Sequence, residues 1–208
     1  SMRSIKFLSV FCIVTLLSTS CDDDDNNNIL PSDNTAFDFI ANNENFSSLE
    51  LALQLTSLDA TLKETGEFTV FAPTNAAFFT FLNDSGFPTL QDVPIGLLRE
   101  TLLYHILTTE FETSSLSDGY IKSSANNSIG EALDLYIKSD IQISLNGLDL
   151  DMANIDNDVD NGIVHVLEGV LRLPTVTDLL RFNPTFSNLT TALEQTSLDE
   201  TLSSTLDP

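Results

Sequence analysis

A seventeen-residue segment occurs twice in this chain. Phe46–Leu62 (FSSLELALQLTSLDATL) returns as Phe186–Leu202 (FSNLTTALEQTSLDETL), 140 residues downstream, with 11 of the 17 positions identical. Thr35, Asp38 and Asn43 pair with Thr175, Asp178 and Asn183 at the same offset. A fixed period of this length means tandem domains, not a solenoid of short units. One unit therefore runs over residues 35–174 and another starts at 175. The second has only 34 residues, 175–208, too few to close a hydrophobic core. The chain is thus expected to continue past residue 208, with Leu189, Leu193, Leu198 and Leu202 short of partners. Ser1 ahead of Met2 marks the N-terminal boundary as arbitrary too.

Residues 1–20 read as an address. Arg3 and Lys6 form a basic start, Phe7–Leu17 is almost wholly apolar, and Ser18, Thr19 and Ser20 are small. The apolar stretch is too short for a stable membrane anchor and has the layout of a secretory signal. Cys21 follows directly, so Leu17-Ser18-Thr19-Ser20-Cys21 resembles a bacterial lipoprotein signal, which implies lipidation at Cys21. The other reading is an ordinary cleaved signal with an incidental cysteine. Residues 21–34 then form a tether. Asp22–Asp25 and Asn26–Asn28 repel or solvate and bury nothing. An acidic run in that place also resembles the surface-export signal of Bacteroidetes lipoproteins, against the alternative of a plain spacer.

Charge narrows the partners. Eight Lys+Arg stand against 31 Asp+Glu, a formal charge of −23, and cleavage before Cys21 removes two basic residues and takes it to −25. Nucleic acid needs a basic surface for counterion release, which eight scattered residues do not form. Docking on an anionic membrane is disfavoured for the same reason, leaving the N-terminal lipid as the membrane contact. Cleavage also removes Cys12, so Cys21 remains alone and no internal disulfide forms. Stability must come from packing, and at 42% hydrophobic residues the chain has material for a core.

Within 35–174 helical and strand signals are mixed. Ser47-x-x-Glu50 reads as a capping box before Leu49, Ala52, Leu53 and Leu51, Leu55, Leu58, Leu62 at helical spacing. Phe68–Pro73 is an aromatic, β-branched strand stopped by proline. Thr74 or Asn75 caps a short helix carrying Ala76, Ala77, Phe78, Phe81 and Leu82. Pro94 suits the first turn of another helix, with Leu98, Leu102 and His105 on one face. From Ile129 onward strands are expected: Ile141–Leu145 and Leu148–Met152 alternate around Asn146-Gly147, and Asn161-Gly162 turns into Ile163–Leu167. Helices first and strands later indicate an α+β fold.

Three of these segments resemble the blocks of the fasciclin (FAS1) domain family. They are Phe68-Thr-Val-Phe-Ala-Pro-Thr-Asn-Ala-Ala-Phe78, the pair Tyr104-His105, and Asn161-Gly-Ile-Val-His-Val-Leu-Glu-Gly-Val-Leu-Arg-Leu-Pro174. The resemblance covers residues 35–174 plus the start of another copy. It implies a fasciclin-like wedge, a β-sandwich with helices packed along one edge, and roles in adhesion and matrix interaction. In animal fasciclin domains the region around Tyr-His serves integrin recognition, which leaves a ligand role for Tyr104 open.

Thr74, Tyr104, His105, Asn161, Gly162 and His165 are family-motif residues read here as structural. His105 falls on an apolar helix face and His165 in a strand, where an unpaired imidazole is costly. Neither is visibly paired with a serine or cysteine nucleophile, so no catalytic residue is assigned and an enzyme is not expected. Asp149, Asp151, Asp156, Asp158 and Asp160 invite calcium, but the loop pattern breaks at Asn161 and Leu167, which favours a solvated turn. No cofactor or metal is expected. Asn45, Asn126 and Asn188 begin glycosylation sequons by pattern and carry little weight in a bacterial lipoprotein.

The reading is of an outer-membrane lipid-anchored, cell-surface protein with tandem fasciclin domains, adhering to extracellular protein or polysaccharide and not to nucleic acid. The alternative is a periplasmic or surface binding protein for a small apolar ligand or glycan.

Overall fold

The computed structural model describes residues 34–203. The expected leader, Cys21 and the Asp22–Asn28 run lie outside the described residues. Helix α1 (Ala36–Ala41) opens on a capping box: the Thr35 hydroxyl accepts from the Asp38 amide, and the Asp38 carboxylate accepts from the Thr35 amide at 3.0 Å. The box expected at Ser47 and Glu50 is not formed. A 3₁₀ turn, Glu44–Phe46, runs straight into α2 (Ser47–Leu55), so Ser47 is already inside a helical path. Asn75 does the capping from across the fold. Its Oδ1 accepts from the Ser48 amide at 2.9 Å, and its Nδ2 donates to the Glu44 carbonyl at 2.8 Å. That frees Thr74 to cap α3 (Asn75–Ser85).

Leu49, Ala52 and Leu53 bury the inner face of α2, while Leu51 and Leu55 are 37% and 38% exposed. The helix stops at Leu55, and Ser57 turns left-handed with φ 57°. Leu58 and Leu62 are buried from the loop and 3₁₀ turn that follow, not from the helix. Strand β1 (Phe68–Pro73) precedes α3, and α4 (Ile95–Leu103) follows Pro94.

Seven more strands complete two sheets. They are β2 (Ile106–Leu107), β3 (Gly119–Asn126), β4 (Ala132–Ser139), β5 (Ile143–Leu145), β6 (Leu148–Asp149), β7 (Asn157–Val159) and β8 (Gly162–Leu167). The orders are β2-β1-β8-β7 and β3-β4-β5-β6. All ladders are antiparallel except β1 with β8, which runs parallel from Phe68↔Gly162 to Pro73↔Leu167. These two strands are covered on both faces, so both are mostly apolar, and their polar residues Thr69 and His165 are buried with hydrogen-bond partners. Val70, Ala72, Val164 and Val166 join α1–α4 in one core. Phe71 and Leu167 join Tyr104, Leu135 and Leu145 in a second core between the sheets. The layers are helices, sheet, sheet: an α+β fold.

Strands begin earlier than expected, because β2 and β3 precede Ile129. Ile141 is 95% exposed and Met152 41%, so the alternation read around Asn146-Gly147 overshoots the short β5 and β6 at both ends. The turn itself forms, with φ 49° at Asn146 and 78° at Gly147.

After Pro174 come α5 (Val176–Phe182), a 3₁₀ turn, α6 (Ser187–Gln195) and α7 (Leu198–Ser203). Thr175 and Asp178 repeat the capping box of Thr35 and Asp38, and Ser197 has φ 54° where Ser57 has 57°. The packing differs: α6 and α7 bury no residue, and Leu189 and Leu198 are 44% and 50% exposed where Leu49 and Leu58 are 2% and 1%. The Tyr120 hydroxyl holds α5 to the second sheet by donating to the Leu179 carbonyl at 2.9 Å.

Candidate functional site

The motif residues gather along the β1–β8 seam. Tyr104 caps the end of α4 and is fully buried between the sheets. Its hydroxyl donates to the Asp134 carbonyl at 2.5 Å and accepts from Asn146 Nδ2 at 2.7 Å. Asn146 Oδ1 accepts in turn from the Tyr136 amide at 2.8 Å. Burial pushes the Tyr104 phenol well above its usual range, so it stays a neutral donor.

Each imidazole is closed off by backbone groups. A carbonyl only accepts and an amide N–H only donates, so the partners fix both tautomers. His105 Nδ1–H donates to the Thr101 carbonyl at 2.7 Å, and Nε2 accepts from the Leu171 amide at 2.9 Å. His165 has the opposite tautomer: Nε2–H donates to the Phe111 carbonyl at 2.8 Å and Nδ1 accepts from the Asp156 amide at 3.1 Å. Its ring stacks on Phe71 at 5.6 Å. The Asp156 carboxylate stands 3.7 Å from Nδ1, but that nitrogen already accepts a hydrogen bond, so the contact is not an ion pair. Neither histidine offers a nitrogen for acid–base work.

Burial pushes the His105 imidazole down to about 4, against the pull of its Thr101 bond, and lowers His165 in the same way. Unfolded histidine titrates near about 6.5, so below that value the unfolded chain binds more protons than the folded one. Stability is therefore expected to fall as the pH drops from about 6.5 to about 4, by about 3 kcal/mol for His105 alone. Acidification also relaxes carboxylate repulsion, so an NMR titration isolates the effect better than a melting curve. The His105 ring proton is expected to keep its neutral shift down to about pH 5. A His105 that titrates in the folded protein near the ordinary value overturns this reading.

The turn between β7 and β8 is Asp160-Asn161, one residue earlier than the expected Asn161-Gly162, and Gly162 is already the first residue of β8. Asn161 is 2% exposed and ties three backbone groups together: Oδ1 accepts from the Ala36 amide at 2.8 Å, and Nδ2 donates to the Leu62 and Glu64 carbonyls at 2.9 and 2.7 Å. Gly162 lies against the backbone of Phe68.

Asp156 and Asp151 engage donors of the protein itself. Asp156 accepts from the amide and hydroxyl of Thr113, and Asp151 from the Ala153 amide and the Asn154 side chain. Among the described residues no three of His, Cys, Asp and Glu converge as a metal would need.

Two clefts flank the segment Arg172–Pro174, which links β8 to α5. One of about 570 Å³ has Asp84, Glu168, Asp178 and Phe182 among its walls; the other, about 310 Å³, is bounded by α3, α4, the β3–β4 turn and Leu173-Pro174. Arg172 pairs with Asp84 at 3.1 Å, with its guanidinium 6.0 Å from the Phe81 ring. Tyr104 and His105 are buried, but α4 stops at Leu103, so His105 lies beyond the helix and not on its apolar face as the sequence suggests. Asn146, Phe111 and Leu171, which satisfy the motif side chains, are not read from the sequence. Asn146 carried a turn signal only, and the other two contribute through main-chain atoms that no side-chain pattern encodes.

The fasciclin domain family model matches residues 44–174. Protein sll1483 of the cyanobacterium Synechocystis sp. is 31% identical over 140 residues, covering 67% of this chain and 74% of that protein. Mouse stabilin-1 is 32% identical over 158 residues, covering 73% of this chain and 6% of its own length. Pig transforming growth factor-beta-induced protein ig-h3 is 29% identical over 153 residues, 70% of this chain and 20% of the relative. The chain thus spans a small part of its animal relatives. Among solved structures, the FAS1 domain pair of the insect cell adhesion molecule fasciclin I has a TM-score of 0.50 at 17% identity, covering 75% of this chain and 56% of that one. That last likeness is one of fold.

Proposed function

The chain belongs to the fasciclin domain family, and on that premise we propose that it is an adhesion module: a lipid-anchored surface protein holding tandem fasciclin domains away from the outer membrane. The observation that carries a binding scaffold over an enzyme is the closure of both imidazoles by main-chain partners at 2.7 to 3.1 Å. The insect relative described as a cell adhesion molecule supports the same class.

Tandem organisation is supported by the repeated capping box at Thr175 and Asp178 and the repeated left-handed serine at 197. It is supported too by the exposed apolar residues of α6 and α7, whose counterparts in the first unit are buried. In this reading Cys21 carries the lipid, residues 22–34 space the domains, and repeated weak contacts gain avidity through effective concentration. The partner is an extracellular protein or polysaccharide, since the acidic surface disfavours polyanions.

Proteinase K applied to intact cells tests the placement. Digestion of the protein while the cells stay unbroken is expected, together with loss of cell attachment on deletion. Protection until lysis would put the domains in the periplasm and overturn direct adhesion.

A further inference from the structure

We propose that the smaller cleft, of about 310 Å³, binds a small neutral molecule with an aromatic or alicyclic body. The volume is at the lower end of ordinary ligand pockets, which are mostly apolar with a few polar groups for orientation. Phe81 of α3, Phe87 after it, Leu97 of α4, Leu133 of β4, and Leu173 and Pro174 supply apolar walls from distant parts of the chain. The buried Thr101 brings a polar residue to the wall, and Asn126 and Ser128 lie in the part formed by the β3–β4 turn.

The walls are fixed before any ligand arrives. Glu100 accepts from the Asn126 amide at 3.0 Å and holds the end of β3, where the β3–β4 turn begins, to α4. On the other side, the Leu171 amide is bonded to His105, Arg172 is paired with Asp84, and Thr175 is locked in its capping box. Leu173 and Pro174 are thus anchored at both ends. A cleft that does not have to be ordered on binding keeps more of the gain from burying apolar surface.

Charge selects the ligand class. In a chain of net charge −23, Arg172 is the cation lining this cleft, and Asp84 already engages it; Glu100, the anion, is engaged by a backbone amide. With one cation and one anion, each already partly compensated, the cleft offers no unbalanced charge to an ionic ligand, whereas its apolar walls favour a neutral one. The larger cleft, with Asp84, Glu168 and Asp178 against Arg172 in its walls, is acidic on balance.

The neutral fluorophore N-phenyl-1-naphthylamine, titrated into the full chain, tests the site. Saturable enhancement is expected, with shifts in the Leu97 and Leu133 methyl resonances of the wild-type protein. Leu97→Trp and Leu133→Trp fill the cleft from opposite walls and are expected to weaken binding about tenfold or more, with the fold checked by circular dichroism. Thr80→Trp, in the larger cleft only, is expected to leave it unchanged. Non-saturable signal, unshifted methyls, or binding that survives in folded Leu97→Trp and Leu133→Trp overturns the proposal. The inference stands apart from adhesion, which is read by cell attachment, so either can fail alone.

Discussion

Gly162→Ala is expected to leave no folded protein at ambient temperature. A Cβ at this position would lie 1.9 Å from the Phe68 carbonyl oxygen and 2.7 Å from its carbonyl carbon and amide nitrogen. The obstacle is main chain, which has no rotamer to move into. The backbone at Gly162 also has φ 147°, a region that side chains rarely enter. Phe68↔Gly162 is the first rung of the parallel β1–β8 ladder, and the Phe68 amide donates to the Asn161 carbonyl at 2.9 Å. Relief requires β1 to part from β8 at the seam of both cores, where packing is close. The loss is expected to exceed about 4 kcal/mol, comparable with the whole stability of a domain at the low end of the usual range. Gly147→Ala is the control. Its φ is 78°, but the nearest atom is Phe182 Cδ1 at 3.9 Å, so only the left-handed backbone is penalised, by about 1–2 kcal/mol. Urea unfolding of both variants separates them. A Gly162→Ala protein as stable as Gly147→Ala would sink the close approach.

The sequence is most legible where local chemistry and burial agree. Phe68–Pro73 is a strand residue for residue because β1 is covered on both faces and ends at a proline. The histidines read as core residues from their apolar neighbours. What the reading lacks is long-range. The parallel pairing of β1 with β8 joins segments some ninety residues apart, and nothing in either sequence names the other. Strand β3 is hidden because its inward set is Ile121, Ser123 and Ala125, small and partly polar; Ser123 is buried only because its hydroxyl donates to the Leu133 carbonyl at 3.0 Å. The Ser47–Glu50 box fails for a related reason. Asn75, 27 residues from Ser48, satisfies the Ser48 amide, so a local rule loses to a tertiary partner. The small cleft is beyond sequence reading altogether, since its walls converge only once α3, α4, the β3–β4 hairpin and Leu173-Pro174 are in place.

Asn161→Ala is the second large expected loss, and its mechanism differs from that of glycine. Here nothing collides; three hydrogen bonds vanish together. The Ala36 amide begins α1, and the Leu62 and Glu64 carbonyls lie in the loop before β1, so this side chain holds the N-terminal helix and that loop to the β7–β8 turn. A buried polar group left unpaired costs about 1–3 kcal/mol, and water admitted at the rim recovers part of it, so a total loss of about 3–5 kcal/mol is expected. Asn161→Asp sharpens the test. Its carboxylate still accepts from Ala36, but it sets a negative charge against two carbonyl oxygens at the positions where Nδ2 donates over 2.9 and 2.7 Å. That variant is expected to be no better than Asn161→Ala near neutral pH and to recover as acid protonates the carboxyl, which restores a donor. Hydrogen exchange at the Ala36 amide gives the local readout, because its protection depends on Oδ1 directly. Unchanged protection in Asn161→Ala, or a stability within about 1 kcal/mol of wild type, would mean that the helix is held by its capping box and apolar contacts instead.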